Sequence, residues 1–131
     1  MILRDCVNFG QCAKYIYKTM KMIRINFDDN DLQYAGIDAG GGNMYNYKNQ
    51  PFTGIIEEFY ANGNLTGEIE CKNGYSDGLQ TTYYENGQMQ EEYYLKYNRF
   101  YGSYKRWDEN GNLISHTEYD NNGDLIRRVV G

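Results

Sequence analysis

The chain has 131 residues, which is enough for one domain. Its 18 acidic side chains outnumber its 13 lysines and arginines, so the net charge of −5 disfavours nucleic acid and anionic membranes as partners and favours a basic protein. Fifteen tyrosines against five phenylalanines put a hydroxyl on most of the aromatic surface. That composition suits a thin, wetted sheet better than a thick apolar core.

Residues 1–21 carry neither a recognisable secretory leader nor an apolar run of the roughly 18 to 20 residues that a membrane-spanning helix needs. We expect this segment to be an N-terminal extension, either disordered or a short helix. The three cysteines, Cys6, Cys12 and Cys71, do not suggest a disulfide framework. We therefore expect a cytoplasmic location.

Residues 22–48 are expected to form an N-terminal capping hairpin and a glycine-rich joint. Apolar and polar residues alternate over residues 22–34, and the alternation breaks at Asp28–Asp31, which predicts a hairpin tip. The glycines at Gly40–Gly42 predict a flexible joint. A phosphate-binding loop is not favoured, because neither Gly-Lys-Ser/Thr nor a helix signal follows.

A unit of 24 residues then occurs three times, over Gly54–Asp77, Gly78–Tyr101 and Gly102–Leu125. Each copy has an aromatic residue five positions after its opening glycine, then an Asn-Gly pair, then Leu or Met two positions later. The three sets are Phe59, Asn62-Gly63 and Leu65; Tyr83, Asn86-Gly87 and Met89; and Trp107, Asn110-Gly111 and Leu113. A repeat of this length indicates supersecondary units that must stack to bury their apolar sides.

Asn-Gly between two alternating runs predicts that each repeat is a β-hairpin. A three-residue loop, Ala61-Asn62-Gly63, with a type I turn and a left-handed glycine would pair Phe59 with Leu65. The same register would pair the aromatic residue with Leu or Met in the other two copies. We therefore predict an all-β fold: a single-layer repeat sheet of stacked antiparallel hairpins over residues 49–125, with a tail at residues 126–131.

Strict alternation along these strands predicts two different sheet faces. The packed face is expected to carry Ile55, Phe59, Leu65, Ile69, Cys71, Leu79, Tyr83, Met89, Tyr93, Leu95, Trp107, Leu113 and Tyr119. The open face is expected to be acidic and rich in tyrosine. It would carry Ile56, Glu58, Tyr60, Thr66, Glu68, Glu70, Gln80, Thr82, Tyr84, Gln90, Glu92, Tyr94, Tyr104, Arg106, Asp108, His116 and Glu118.

The repeated unit resembles the MORN repeat variant found in many bacterial proteins. The family's pattern is similar to Gly-x-Trp-x-x-Tyr-Tyr-x-Asn-Gly-x-Leu, and the first copy runs from Gly54 through Phe59-Tyr60-Ala61-Asn62-Gly63 to Leu65. The early tryptophan is replaced by Ile56, Gln80 or Tyr104. The resemblance covers about residues 45–125 and implies a sheet of antiparallel hairpins with a binding role. It also implies an antitoxin or immunity protein, as short bacterial members often are.

The resemblance and the charge together predict a non-enzymatic protein that binds and neutralises a cognate toxin, such as a basic nuclease or deaminase. Tyrosines are frequent interface anchors, and glutamates attract a basic partner. The candidate partner-binding residues are Tyr60, Tyr84, Tyr94, Tyr104, Glu58, Glu68, Glu70, Glu92 and Glu118. The alternative for these side chains is a purely structural one, in cross-strand pairing and solubility.

The alternative function is a scaffold that joins proteins or self-associates through open sheet edges. A membrane role is not favoured, because Lys105-Arg106 and Arg127-Arg128 are few against the acidic load.

We expect no cofactor, metal site or catalytic site. His116 and Cys71 should lie on opposite faces two repeats apart, which does not make a Cys-His dyad. Cys6 and Cys12 lack the second pair of ligands of a zinc site, and Asp28–Asp31 lacks the glycine and the distal glutamate of an EF-hand loop. The carboxylates crowded on the first repeat would lie on an open sheet, without a cleft that excludes water.

Overall fold

The computed structural model describes residues 22–130, which form one sheet of consecutive hairpins with a small meander at one end. The strands are β1 (Arg24–Asn26), β2 (Leu32–Ile37), β3 (Asn43–Tyr47), β4 (Gln50–Pro51), β5 (Gly54–Phe59), β6 (Leu65–Lys72), β7 (Tyr75–Tyr83), β8 (Met89–Lys96), β9 (Arg99–Trp107), β10 (Leu113–Tyr119) and β11 (Leu125–Val130). The predicted all-β repeat sheet is confirmed. The expected N-terminal extension lies outside the described residues. Residues 22–130 include no helix of the length and apolarity that crossing a bilayer requires.

The main sheet has the strand order β1-β5-β6-β7-β8-β9-β10-β11. Strand β1 runs parallel to β5, and every later neighbour is antiparallel. Strands β2, β3 and β4 form a separate antiparallel meander, which we call the N-terminal meander (residues 32–51). It joins the main sheet where Met44 of β3 pairs with Tyr75 of β7.

The hairpin expected over residues 22–34 is wrong, because β1 and β2 pair with other strands and not with each other. Asp28–Asp31 does make a turn, in which Asp29 accepts a hydrogen bond from the Asp31 amide at 2.8 Å. Ile25 pairs directly with Ile56, and these side chains are 6% and 1% exposed. Burial of the two isoleucines stabilises the parallel pairing more than a local hairpin would.

The predicted hairpin turns are present in all three repeats. In the first, the Gly63 amide donates to the Tyr60 carbonyl at 2.9 Å, and the Tyr60 amide donates to the Asn64 carbonyl at 2.8 Å. The turn glycines have φ values of 89°, 92° and 88°, in the left-handed region that suits glycine. The predicted pairs are confirmed: Phe59 with Leu65, Tyr83 with Met89 and Trp107 with Leu113.

Immediately after each of these pairs the later strand carries one extra residue. The extra residues are Thr66, Gln90 and Ile114, again 24 positions apart. Each one is a β-bulge, and one inserted residue reverses which side of the sheet the following side chains occupy. The two faces predicted from strict alternation are therefore partly wrong.

The pairing register defines the faces. One face, the core face, carries a row of directly paired residues: Ile25, Ile56, Ile69, Gln80, Tyr93, Tyr104 and Thr117. The other, the acidic face, carries the row Asn26, Glu57, Glu68, Thr81, Glu92, Lys105 and His116.

The corrections to the predicted faces follow from this register. Residues expected on the open face but found on the core face are Ile56, Glu58, Gln80, Thr82, Tyr104 and Arg106. Residues expected on the packed face but found on the acidic face are Ile55, Phe59, Leu65, Leu79, Tyr83, Met89, Trp107 and Leu113.

The hydrophobic core lies where the N-terminal meander covers the core face. Its buried members are Ile25, Tyr45, Phe52, Ile56 and Cys71. Further along the sheet the core face bears an aromatic cluster in which Tyr93 stacks on Tyr104 with centroids 5.0 Å apart. The core is thus confined to the N-terminal end of the sheet.

Asn98 connects the N-terminal meander to the repeats. Its Oδ1 accepts from the Ser76 amide at 3.0 Å, and its Nδ2 donates to Asp38 Oδ2 at 3.0 Å. Asp38 also accepts from the amides of Gly40 and Gly42, both at 2.9 Å, so the turn between β2 and β3 is closed around its carboxylate.

Side chains of the first two Asn-Gly turns bond to the main chain of the next repeat. These inter-repeat bonds run from Tyr60 Oη to Tyr83 O (2.7 Å), Asn62 Nδ2 to Glu85 O (3.0 Å), Tyr84 Oη to Trp107 O (2.8 Å) and Asn86 Nδ2 to Glu109 O (3.1 Å). Each spans 23 residues of sequence, so the repeat length places every donor against its acceptor.

We expect Tyr84→Phe to lower the free energy of unfolding by about 1 kcal/mol, because it leaves the Trp107 carbonyl without its donor while preserving the ring. Urea unfolding of wild type and variant measures the difference. Tyr34→Phe is the matched control: its side chain is 61% exposed, and its hydroxyl lies 3.5 Å from Asn43 Oδ1. Equal losses in the two variants would contradict a special role for the inter-repeat bonds.

We expect the stability that Asp38 contributes to disappear in acid. The hydrogen bond from Asn98, followed by the bond from the Gly42 amide, holds the pKa of Asp38 below its usual value. A carboxylate with a depressed folded-state pKa stabilises above the unfolded value of about 3.9 and loses that effect as the pH falls through the folded value. Asp38→Asn should therefore lower the free energy of unfolding, measured with urea, at pH 7. At about pH 2 the substitution should change that free energy very little. A cost independent of pH would refute this.

Candidate functional site

The nine candidate residues fall into three groups. Those on the acidic face are Glu68, Glu70, Glu92, Tyr94 and Glu118. Glu58 and Tyr104 lie on the core face. Tyr60 and Tyr84 lie at the first residue of an Asn-Gly turn. The structure therefore brings five of the nine together on one surface.

The hydroxyls of Tyr60 and Tyr84 are engaged within the sheet. Both donate to main-chain carbonyls of the following repeat at 2.7 and 2.8 Å. This bonding gives the two side chains a structural role, whichever surface contacts a partner.

Tyr104 belongs to the aromatic cluster of the core face. Its ring stacks on Tyr93 at an interplanar angle of 17°, and its hydroxyl donates to Glu91 Oε2 at 2.8 Å. Burial, and then the Glu91 carboxylate, raise the pKa of Tyr104 well above its usual value. The hydroxyl therefore stays protonated and available as a donor to Glu91.

Three of the candidate carboxylates on the acidic face, Glu68, Glu70 and Glu118, have partners in the sheet. Arg24 bridges Glu68 and Glu57, and Glu70 accepts from the Leu79 amide at 2.8 Å. Arg127 lies 2.9 Å from Glu118 and lowers the pKa of that carboxyl.

Glu92 differs from these three. Its neighbours across the strands are Thr81 and Lys105, and no ion pair within 4.0 Å among the described residues includes it. Glu92 is therefore the member of the acidic row whose charge is most available to a partner.

An apolar strip accompanies the acidic row on the same face. We define it as the three pairs that precede the bulges: Phe59 and Leu65, Tyr83 and Met89, and Trp107 and Leu113. Phe59 is 45% exposed and Leu113 is 39% exposed, while the other four are partly buried. The sequence marks these residues through their 24-residue period, but reasoning by strict alternation assigned them to the packed face and so missed them as surface.

Carboxylates border the apolar strip on both sides. On the side toward the strand centres lie Glu57, Glu68 and Glu92. Each is two or three residues along its strand from the strip residue of that strand. On the turn side lie Glu85 and Glu109, which are exposed in the second and third Asn-Gly turns. An apolar surface flanked by negative charge is suited to an amphipathic, basic partner.

The chemistry of Cys71 does not suit a nucleophile. Its side chain is 2% exposed, and burial, with a smaller effect of Glu70, raises its pKa to about 12. His116 lies on the opposite face, in the acidic row. Within residues 22–130 no group of three His, Cys, Asp or Glu side chains is arranged to hold a metal ion.

We expect the Cys71 thiol to resist alkylation in the native protein, because the thiolate is the reactive form and both burial and the raised pKa suppress it. Iodoacetamide at pH 8, followed by mass spectrometry of the peptide that contains Cys71, measures the rate. Denaturation in urea should accelerate the reaction by at least about tenfold. Equal rates in native and denatured protein would contradict the buried position.

Comparison with known proteins agrees with the geometry of the sheet. The model of the MORN repeat variant family matches residues 52–73, 76–97 and 100–121, which together make up half of the chain. No curated protein and no solved structure matches this chain at a significant level. MORN repeats are non-enzymatic modules that generally bind proteins or membranes. Because the three matches coincide with the three stacked units built on Asn-Gly turns, the chain belongs to the MORN repeat variant family.

Proposed function

We propose that this chain is a cytoplasmic immunity protein or antitoxin that binds and neutralises a basic bacterial toxin through its acidic face. The observation that carries the proposal is the combination of a partly exposed apolar strip with carboxylates on both of its borders. Apolar and aromatic side chains supply binding free energy at the centre of an interface, and charges at its rim accelerate encounter and select the partner. The net charge of −5 acts in the same direction over longer distances.

The surface is large enough for such a role. The six strands β5 to β10 are spaced by about 4.8 Å, so the acidic face extends roughly 25 Å across them. A typical stable interface buries about 800 Å² on each partner, which this face can provide. Neutralisation then needs no chemistry by this chain, because a bound sheet covers the substrate groove of a nuclease or deaminase, which is basic where it binds phosphates.

Co-purification of the tagged protein from its native host tests the proposal. We expect one basic protein in stoichiometric amount. That protein should arrest growth when expressed alone, and co-expression of this chain should relieve the arrest. Recovery of self-copies alone, or of a partner that causes no arrest, would refute the antitoxin role.

Charge reversal identifies the surface. We expect the triple variant Glu85→Lys, Glu92→Lys and Glu109→Lys to lose at least about tenfold in affinity for the captured toxin and to reduce the salt dependence of binding. Glu58→Lys is the control, because Glu58 is exposed on the core face. A loss in the control equal to that in the triple variant would contradict the assignment to the acidic face.

A scaffold that associates through sheet edges is the second candidate, and one observation favours it. Strand β11 pairs only with β10 among the described residues, and its Leu125, Ile126 and Val129 side chains are 51%, 59% and 50% exposed. Unpaired edge strands with exposed apolar side chains promote association. Sedimentation at several concentrations distinguishes the two functions, since a scaffold of this kind should form oligomers that Ile126→Lys disperses.

A further inference from the structure

We propose that the apolar strip binds a basic α-helix of the partner whose apolar residues recur at every seventh position. The inference rests on the proposed function, because it names the element of the partner that the acidic face recognises. It is carried by the spacing of the strip and by the charges on its borders.

The spacing comes from the repeat. Each apolar pair spans two neighbouring strands, so successive pairs are two strands apart, which is about 9.6 Å along the strip. An α-helix rises 1.5 Å per residue, so positions seven apart are separated by about 10.5 Å. Such positions remain on one side of the helix, drifting by about 20° per heptad. Three apolar residues of one helix therefore meet the three pairs Phe59 and Leu65, Tyr83 and Met89, and Trp107 and Leu113.

An extended β-strand does not fit this spacing. It would need an apolar residue at every third position to cover about 9.6 Å, and side chains three apart point to opposite faces of a strand. A polyproline II helix does have three residues per turn and a rise of about 3.1 Å, and so matches the distance. The borders of the strip decide between it and the α-helix.

The carboxylates that border the apolar strip favour an α-helix, which is wider than a polyproline II helix. An α-helix with its side chains is about 10 to 12 Å across, so a helix centred on the strip places its flanking positions over both rows of carboxylates. On one side these are Glu92 and the pair Glu57 and Glu68, which Arg24 bridges, and on the other Glu85 and Glu109. Lysines and arginines on both flanks of an amphipathic helix would meet these charges.

The charges also predict how the basic residues are distributed along the helix. Lys105 and His116 occupy the acidic row beside the third pair, Trp107 and Leu113. Glu92 lies beside the second pair and has no partner within ion-pair distance among the described residues. The helix should therefore be most basic over the second repeat and neutral or acidic over Lys105.

A designed peptide of about 20 residues tests the inference without the toxin. The peptide carries a leucine at every seventh position, lysines on both flanks and alanine elsewhere, and its binding to the full chain is measured by fluorescence anisotropy. The control peptide has the same composition with leucines at every fifth position, which distributes them around the helix. We expect the first peptide to bind at least about tenfold more tightly than the control.

Variants at the two exposed ends of the strip locate the site. Phe59→Lys and Leu113→Lys should each weaken binding of the heptad peptide by at least about tenfold, while Glu58→Lys on the core face should not. Circular dichroism and the urea midpoint confirm that each variant is folded. Because Phe59 and Leu113 are 45% and 39% exposed, these substitutions place lysine in contact with water.

Three outcomes would overturn the inference: equal binding of the two peptides, binding by neither, or tighter binding of a proline-rich peptide with an apolar residue at every third position. Dimers of this chain that Phe59→Lys disperses would also overturn it, since a second copy would then occupy the strip. Failure with the peptides leaves toxin capture untouched. Conversely, failure to recover a toxin from the host would leave the peptide-binding result unchanged. The two proposals can therefore fail independently.

Discussion

The hydrogen bonds between successive Asn-Gly turns are the interaction on which the rest of the sheet depends. A single-layer sheet has no second layer against which to bury its apolar side chains, and here the buried core is limited to Ile25, Tyr45, Phe52, Ile56 and Cys71 at one end. The later repeats therefore depend on contacts with their neighbours. The tyrosine and asparagine of the first two turns supply such contacts by donating to the main chain of the next repeat.

These bonds also explain why the Asn-Gly pair recurs in all three repeats of this chain. The asparagine serves the turn twice: in the second repeat Asn86 Oδ1 accepts from the Gln88 amide at 2.9 Å, while its Nδ2 reaches the Glu109 carbonyl. The glycine that follows is needed for its left-handed conformation. Glycine at the first position of the repeat is required for a different reason, which Gly78 shows. Its φ is 100°, and the Glu70 carboxylate occupies the space where a Cβ would lie.

The hairpin register of the repeats could be predicted from the sequence because it depends on local turn chemistry. Asn62-Gly63 determines its own turn, and the turn determines that Phe59 faces Leu65. The faces could not be predicted, because one extra residue at Thr66 reverses them and leaves no mark in composition or periodicity. Ile56 shows the consequence most clearly, since alternation assigned it to the open face and it is 1% exposed in the core.

The candidate site was predicted in part for the same reason. Glu68, Glu70 and Glu92 follow the first two bulges, and they share a surface as expected. Tyr60 and Tyr84 were predicted as partner-binding anchors on the open face, but their hydroxyls donate to carbonyls 23 residues away, a pairing that only the stacked repeats create. Pairing of β1 with β5 was likewise invisible, because it joins segments about 30 residues apart through burial of Ile25 against Ile56.

The third turn departs from the other two in a way that gives the stack a direction. Asp108 stands where Tyr60 and Tyr84 stand, and its carboxylate accepts from the amides of Asn110 and Asn112 in its own turn, both at 2.9 Å. In the first two repeats, by contrast, the tyrosine and asparagine side chains donate to carbonyls that lie 23 residues later in the chain. During synthesis, which proceeds from the N-terminus, each of those repeats completes its bonds only once its successor has emerged. The side chain of Asp108 bonds within its own turn and requires no following repeat. The series of side-chain bonds from one repeat to the next therefore ends at the third turn.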